Sequence, residues 1–279
     1  MFSLCLNSPG GHYEEGLAIA RYLLDDGRIA TIVEAGAECY SACALIFMAG
    51  SALGYRTVGP SRWLNINGKL GFHSAFYKRE FFTGKQFTGD QILKYFREGQ
   101  ETARLALKTF DRLTYNRQFS KVKPWVRTSL FMEMWVHEAD TLLMIDNVDK
   151  AGRWGIDIFG HAKISTPTSE QVQTACTSEA RWYIDLSASV DSLDWKPFKH
   201  TVHQDEQGAI SHRVDFGLHY PPQRCVLYIR QSNGAVEVST QFYANADANT
   251  PYVTSNRDWS FFSPRMLLRC LTPKSARGC

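Results

Sequence analysis

Residues 39–50 read Cys-Tyr-Ser-Ala-Cys-Ala-Leu-Ile-Phe-Met-Ala-Gly, and the stretch from Ala42 to Ala49 is almost purely apolar. A bilayer span needs about 18 or more such residues in a row, so a run this short belongs in a protein core. One serine, Ser41, stands at its mouth among small residues. A hydroxyl at the start of a buried helix has free backbone N–H groups beside it and a dry wall behind it. Those conditions favour an activated nucleophile.

At 279 residues the chain is long enough for one larger and one smaller domain. Its hydrophobic content of 44% is that of a folded globular protein. The formal net charge is only +3, from 31 basic and 28 acidic residues, and no block of like charge concentrates it. Nucleic acid is therefore not an expected partner, and no membrane span is expected either. The start, Met1-Phe-Ser-Leu-Cys-Leu, lacks the basic n-region of a signal peptide and runs into a Pro-Gly-Gly turn. There are seven cysteines and no Cys-x-x-Cys pair. Cys39 and Cys43 sit four apart near a helix start, where helical geometry seldom permits a bridge, so they read as two buried thiols. Cys176, Cys225 and Cys270 leave room for one disulfide, which would imply an oxidising compartment.

The order of elements points to parallel βαβ chemistry. Phe2 to Leu6 reads as a short buried strand, ended by the turn Asn7-Ser-Pro-Gly-Gly11. Leu17, Ala20, Leu23 and Leu24 then recur at helical spacing, with Gly27 as a C-cap. Ile29 to Val33 reads as the next strand. Short extended pieces follow at Arg56–Val58 and Leu70–Phe72. Thr88-Gly-Asp-Gln91 has capping-box form and opens a helix whose apolar stripe includes Ile92, Leu93, Phe96, Leu107 and Phe110. That stripe reads as core or as an oligomer interface. A shorter helix is expected within Val126–Val136, another over Asn147–Trp154, and a strand at Gly155–Ile158. Beyond residue 160 the composition shifts. Ile164 to Ser169 reads as a linker, and strands are expected at Arg181–Leu186, Gly208–Phe216, Arg224–Arg230 and Ala235–Phe242, the last two joined in a hairpin.

Acyl transfer needs a nucleophile, a base and an oxyanion site. Ser41 can supply the first. The backbone N–H of Ala42 can face a developing oxyanion, and the Gly10-Gly11 turn can bring up a second N–H because no side chain blocks the approach. His73 is a candidate base, preceded by Gly71, which allows close packing. His200, His203 and His212 include a His-x-x-His pair, but the surrounding residues read as a surface loop rather than a metal site. Trp182, Trp195 and Trp259 read as core.

Taken together, Asn7-Ser-Pro-Gly-Gly11, Ser41-Ala-Cys-Ala with Ala49-Gly50, Gly71-Phe-His73, and Ala151-Gly-Arg-Trp-Gly-Ile-Asp157 resemble the proteolytic subunit of Clp protease and its relatives in the Clp/crotonase superfamily. The Cys-x-Ser-Ala-Cys form is similar to periplasmic-type bacterial members. The resemblance covers residues 1–160. It implies an α/β fold over those residues, a spiral of βαβ units lacking the first βα unit; residues 161–279 lie outside it and read, from the alternation of their strands, as a small mainly-β domain. It also implies a serine peptidase-like hydrolase with Ser41 as nucleophile and His73 as general base. Gly10, Gly11 and Ala42 would form the oxyanion hole, and Asp140 would be the orienting carboxylate, with Asp146 and Glu138 as rivals. Asp157 would be a structural strand-end residue. Such an enzyme acts on a peptide or protein substrate, uses no metal or organic cofactor, can form a homo-oligomer, and works in the periplasm or outside the cell. Two other readings stand beside it. One is a non-catalytic Clp-like assembly or peptide-binding module. The other is a crotonase-like acyl-CoA enzyme, which would not need Ser41.

Overall fold

The computed structural model describes residues 2–53, 58–75, 82–111, 113–116, 121–138, 141–164, 166–185, 197–206, 209–216, 224–232, 235–243, 251 and 253–272. The fold is mixed α/β, with parallel strand pairing in one part and a separate antiparallel sheet in another. It divides into two units, residues 1–145 and 146–279, where the composition shift lies near residue 160.

The first unit opens with the βαβ turn expected of it. Strand β1 (Phe2–Cys5), helix α1 (Tyr13–Asp26) and strand β2 (Ile29–Val33) follow in order, and β1 pairs with β2 in parallel. Leu17, Ala20, Leu23 and Leu24 are buried on one face of α1, and the Gly27 N–H caps the helix on the Leu23 carbonyl. Strand β1 differs from expectation in being exposed, with Phe2 at 74%. It has β2 on one side only among the described residues, and an edge strand gains less cover than a central one.

Strand β3 (Glu38–Tyr40) leads through Ser41 into helix α2 (Ala42–Met48), the apolar run of the sequence. Leu45, Phe47 and Met48 are at most 3% exposed. Each such side chain contributes about 1.5–3 kcal/mol by leaving water. A buried helix must also satisfy its last carbonyls. Here the Thr31 hydroxyl donates to the Phe47 carbonyl at 2.7 Å, and Trp125 Nε1 donates to the Met48 carbonyl at 3.0 Å.

Strands β4 (Ser51–Leu53) and β5 (Val58–Pro60) pair antiparallel. Strand β6 (Arg62–Asn65) lies parallel to β2, and β7 (Lys69–Phe72) parallel to β3. Helix α3 (Gly89–Phe110) carries the capping box between Thr88 and Gln91. Its apolar stripe splits: Ala106 and Phe110 are buried, while Ile92, Leu93 and Phe96 are 59%, 48% and 64% exposed. Strands β8 (Leu113–Asn116) and β9 (Lys121–Pro124) pair antiparallel, followed by helix α4 (Thr128–Met134) and strand β10 (Leu143–Met144), antiparallel to β7.

The second unit begins with helix α5 (Val148–Arg153), capped by the Asn147 side chain on the Lys150 N–H, and strand β11 (Asp157–Phe159). Helix α6 (Ser169–Tyr183) follows. Strands β12 (Pro197–Gln204), β13 (Ile210–Phe216), β14 (Arg224–Ser232), β15 (Ala235–Tyr243) and β16 (Val253–Ser255) form one antiparallel sheet in that order. Val172, Ala175 and Cys176 of α6 pack on Val214, Leu227 and Phe242 of the sheet, and a Cys176–Cys225 disulfide ties α6 to β14. Cys270 is disulfide-bonded too.

Sequence expectations are corrected at three places in this unit. Arg181 to Tyr183 end a helix rather than opening a strand. Thr168 and Gln171 form a capping box, a start signal hidden inside what reads as a linker. His200 and His203 lie on β12 rather than in a surface loop. Trp182 and Trp259 are both 2% exposed with ring centroids 5.3 Å apart, as a core reading implies; Trp195 lies outside the described residues.

The histidines of this sheet carry a pH prediction. His200 Nε2 lies 3.2 Å from His212 Nδ1, and Ser169 Oγ lies 2.7 Å from His200 Nδ1. Two imidazole nitrogens share a hydrogen bond only if one of them is an acceptor. Burial, and then the neighbouring His200, hold His212 below the ordinary histidine range. The folded state thus prefers neutral His212. Stability from this site is fully present above the unfolded value of about 6.5 and is lost as pH falls through the lowered folded value. Chemical denaturation of the full chain at pH 7.5 and pH 5 should show a loss at the lower pH that His212→Leu reduces.

Candidate functional site

The site is built where the Asn-Ser-Pro-Gly-Gly turn meets β3. The Asn7 side-chain oxygen accepts the Glu38 N–H at 3.1 Å. Ser8 then continues the pairing: its N–H donates to the Glu38 carbonyl at 2.6 Å, and its carbonyl accepts the Tyr40 N–H at 3.1 Å. The turn is thereby latched to the strand that ends at Ser41. Gly10 has φ +115°, and a Cβ there would lie 2.7 Å from Ser41 Cβ and 3.0 Å from the Tyr40 carbonyl oxygen. A residue with a side chain could not approach so closely. The Gly10 N–H points to Ser8 Oγ at 3.2 Å, so the contribution of Gly10 is room beside the serine. Gly11 is exposed, and a Cβ on it would meet nothing within 4 Å.

Ser41 occupies the N-cap of α2 with φ 58° and ψ −124°, and its side chain makes no capping hydrogen bond. The capping position expected from the sequence is therefore present, while the hydroxyl is not spent on the helix. A non-glycine residue in this region of backbone space costs about 1–3 kcal/mol and is held only where the surroundings over-determine it. Three restraints do so here. The Ser41 N–H donates to the Gly71 carbonyl of β7 at 3.0 Å. Gly10 closes one side. On both flanks, Cys39 and Cys43 are joined in a disulfide with Cα atoms 5.2 Å apart. This bridge corrects the reading of two separate thiols. Cys39 belongs to strand β3 and only Cys43 to the helix, so the Ser41 turn, not helical spacing, sets their distance. Ala42 is the first helical residue and is buried; the N–H groups of a first turn have no partner within the helix.

His73 follows β7 directly, two residues beyond the carbonyl that holds Ser41. Gly71 permits this packing, since a Cβ there would lie 2.8 Å from Met144 Sδ. His73 Nδ1 lies 2.6 Å from the Ser74 carbonyl oxygen. A carbonyl oxygen only accepts, so Nδ1 carries the proton and the lone pair of the neutral ring is on Nε2. Ser74 is itself fixed: its N–H and hydroxyl both donate to the His137 carbonyl, at 3.0 and 2.9 Å.

The carboxylate candidates fare differently. Asp140 lies outside the described residues. Asp146 accepts from Lys150 Nζ at 2.8 Å. Glu138 is exposed. Asp157 takes an ion pair from Arg257 at 3.3 Å, and Arg257 also reaches the buried Glu179 at 3.1 Å, a structural use in keeping with its strand-end position.

Sequence reasoning did not find the cleft in this unit. A cavity of about 420 Å³ is lined by His12, Tyr13, Glu15, Ala75, Tyr95 and Glu98, among others. It thus adjoins the residues that follow Gly11 and those that follow His73. Burial pushes the Tyr13 phenol up to about 12. These residues come from the N-terminal turn of α1, from α3 and from the segment after β7, far apart in sequence. Among the described residues, no group of three or more His, Cys, Asp or Glu is placed to hold a metal ion, and no helix is long and apolar enough to cross a membrane.

No family model and no curated protein matches this chain. Among solved structures, a mutant of ClpP1 from Listeria monocytogenes is similar at 15% sequence identity and a TM-score of 0.32, over 56% of this chain and 72% of that one.

Proposed function

We propose that residues 1–145 form a serine hydrolase of the Clp-peptidase type, acting on peptide or protein substrates held along the cleft beside α1 and α3. The observation that carries this reading is the strained strand-to-helix turn at Ser41, with Gly10 pressed against its side chain. Sharp turns of this kind present a nucleophile above a helix N-terminus. In this reading Ser41 Oγ attacks the scissile carbonyl while His73 Nε2 takes its proton and later gives it to the leaving amine. The N–H groups of Gly11 and Ala42 receive the oxyanion, and Gly10 leaves room for the substrate carbonyl to reach them. The Ser74 carbonyl orients His73, a role that Asp140 or another carboxylate can share. No metal or organic cofactor enters the scheme. The disulfides Cys39–Cys43 and Cys176–Cys225 support an oxidising compartment such as the periplasm or the extracellular space.

A second reading, a non-catalytic Clp-like assembly or peptide-binding module, draws on the exposed Ile92, Leu93 and Phe96 of α3, a surface suited to a homo-oligomer. One experiment separates the two. A fluorophosphonate probe should label the wild-type chain at Ser41, and labelling should vanish in Ser41→Ala. A wild type that stays unlabelled under oxidising conditions sinks the hydrolase reading and leaves the module.

A further inference from the structure

The Cys39–Cys43 disulfide straddles the proposed nucleophile, and we infer that it is a positioning clasp: Ser41 keeps its reactive geometry only while the bridge is closed. This rests on the hydrolase reading for its catalytic consequence and on geometry alone for its structural one. Cys39 is the central residue of β3 and Cys43 the second residue of α2, so the bridge spans the strand-to-helix turn and nothing else. Both side chains are buried, at 0% and 3% exposure. Ser41, midway between them, has φ 58° and uses no side-chain cap. Its N–H, which donates a hydrogen bond to the Gly71 carbonyl, and the close approach of Gly10 are the other two restraints on the turn. A short covalent loop removes most alternative conformations of the residues it encloses. Without it, the turn can relax toward an ordinary helix N-cap, which needs a β-region backbone at Ser41 and spends the hydroxyl on the N–H groups of the first turn. A hydroxyl engaged in that way is no longer directed at a substrate carbonyl.

Reduction is a two-electron exchange. An external dithiol gives up two electrons and two protons, becomes a cyclic disulfide, and leaves Cys39 and Cys43 as thiols. The chain would thus be active when oxidised and idle when reduced.

Two readouts test the clasp, one without reference to activity. The first is amide hydrogen exchange at Ser41, whose N–H is bonded to Gly71, measured in the oxidised full chain, in Cys39→Ala/Cys43→Ala, and in dithiol-reduced chain before and after reoxidation. Protection of Ser41 should fall at least about 10-fold on opening the bridge, while the Leu6 amide, bonded to the Ile32 carbonyl, stays protected and reoxidation restores Ser41. Unchanged protection of Ser41 in both opened forms overturns the clasp. Loss of protection at Leu6 as well as Ser41, in both opened forms, overturns it too, since the bridge is then a general staple. The second readout is fluorophosphonate inactivation. Opening the bridge should lower the maximal inactivation rate about 100-fold with the half-saturating probe concentration little changed. An unlabelled oxidised wild type refutes the hydrolase reading alone, and the exchange result still decides the clasp.

Discussion

Gly10→Ala should abolish reaction of Ser41 with a fluorophosphonate, slowing it by about 100-fold or more, while the second unit stays folded. Two effects add. The backbone at Gly10 sits at φ +115°, a region L side chains rarely adopt, at a cost of about 1–3 kcal/mol. The new methyl would also stand 2.7 Å from Ser41 Cβ and 3.2 Å from Ser41 Oγ, so the turn or the serine must move. Either movement misplaces the nucleophile relative to Gly11 and Ala42. Mass spectrometry of the labelled site, beside a denaturation curve, measures the effect. Wild-type labelling rates in Gly10→Ala would show that this turn has no part in the chemistry.

Gly50→Ala should be the most destabilising of these substitutions for the first unit. The Cβ would fall against the Thr31 hydroxyl and the Ser61 carbonyl oxygen, and 2.8 Å from the Thr31 amide nitrogen. Two of these three atoms are backbone. They are tied to one another, because the Thr31 N–H donates to Ser61 at 3.1 Å while the Ser61 N–H donates to Gly50 at 2.9 Å. No rotamer change relieves such a contact; the β2 segment has to separate from residue 61. Overpacking of this kind costs about 3 kcal/mol, which corresponds to a fall in melting temperature of about 6–12 °C for a unit of this size. Differential scanning calorimetry of the full chain measures it, with the transition of the second unit as an internal reference.

Much of the first unit is legible in the amino-acid sequence. Helix α1 follows from the spacing of Leu17, Ala20, Leu23 and Leu24, and its end from Gly27. The start of α3 follows from the Thr88–Gln91 box, and the parallel pairing of β1 and β2 from a strand, a glycine turn, a helix and a strand in succession. The second unit is harder. Its hairpin strands are readable from alternation, but the capping box at Thr168 is masked by Ser165, Thr166 and Pro167, which look like a linker. The strand carrying His200 and His203 has too many polar residues to show a buried face, because it lies at the end of its sheet. The exposure of Ile92, Leu93 and Phe96 is not readable either, since an apolar stripe has the same sequence whether a partner covers it or not.

At the candidate site, local sequence marks the residue types: a serine before an apolar helix, a glycine pair after a strand, a histidine after a short strand. These are encoded by neighbours in the chain, so a single sequence carries them. Only the tertiary structure decided how they meet. Asn7 and Ser8 latch the glycine turn to β3, β7 lends Gly71 to the Ser41 amide, and the turn at Ser41 brings Cys39 and Cys43 within bonding reach. Each of these depends on backbone direction across a turn or on pairing between distant strands. Residue spacing specifies neither, and for Cys39 and Cys43 spacing pointed the other way because four residues were counted along a helix that begins only after Ser41.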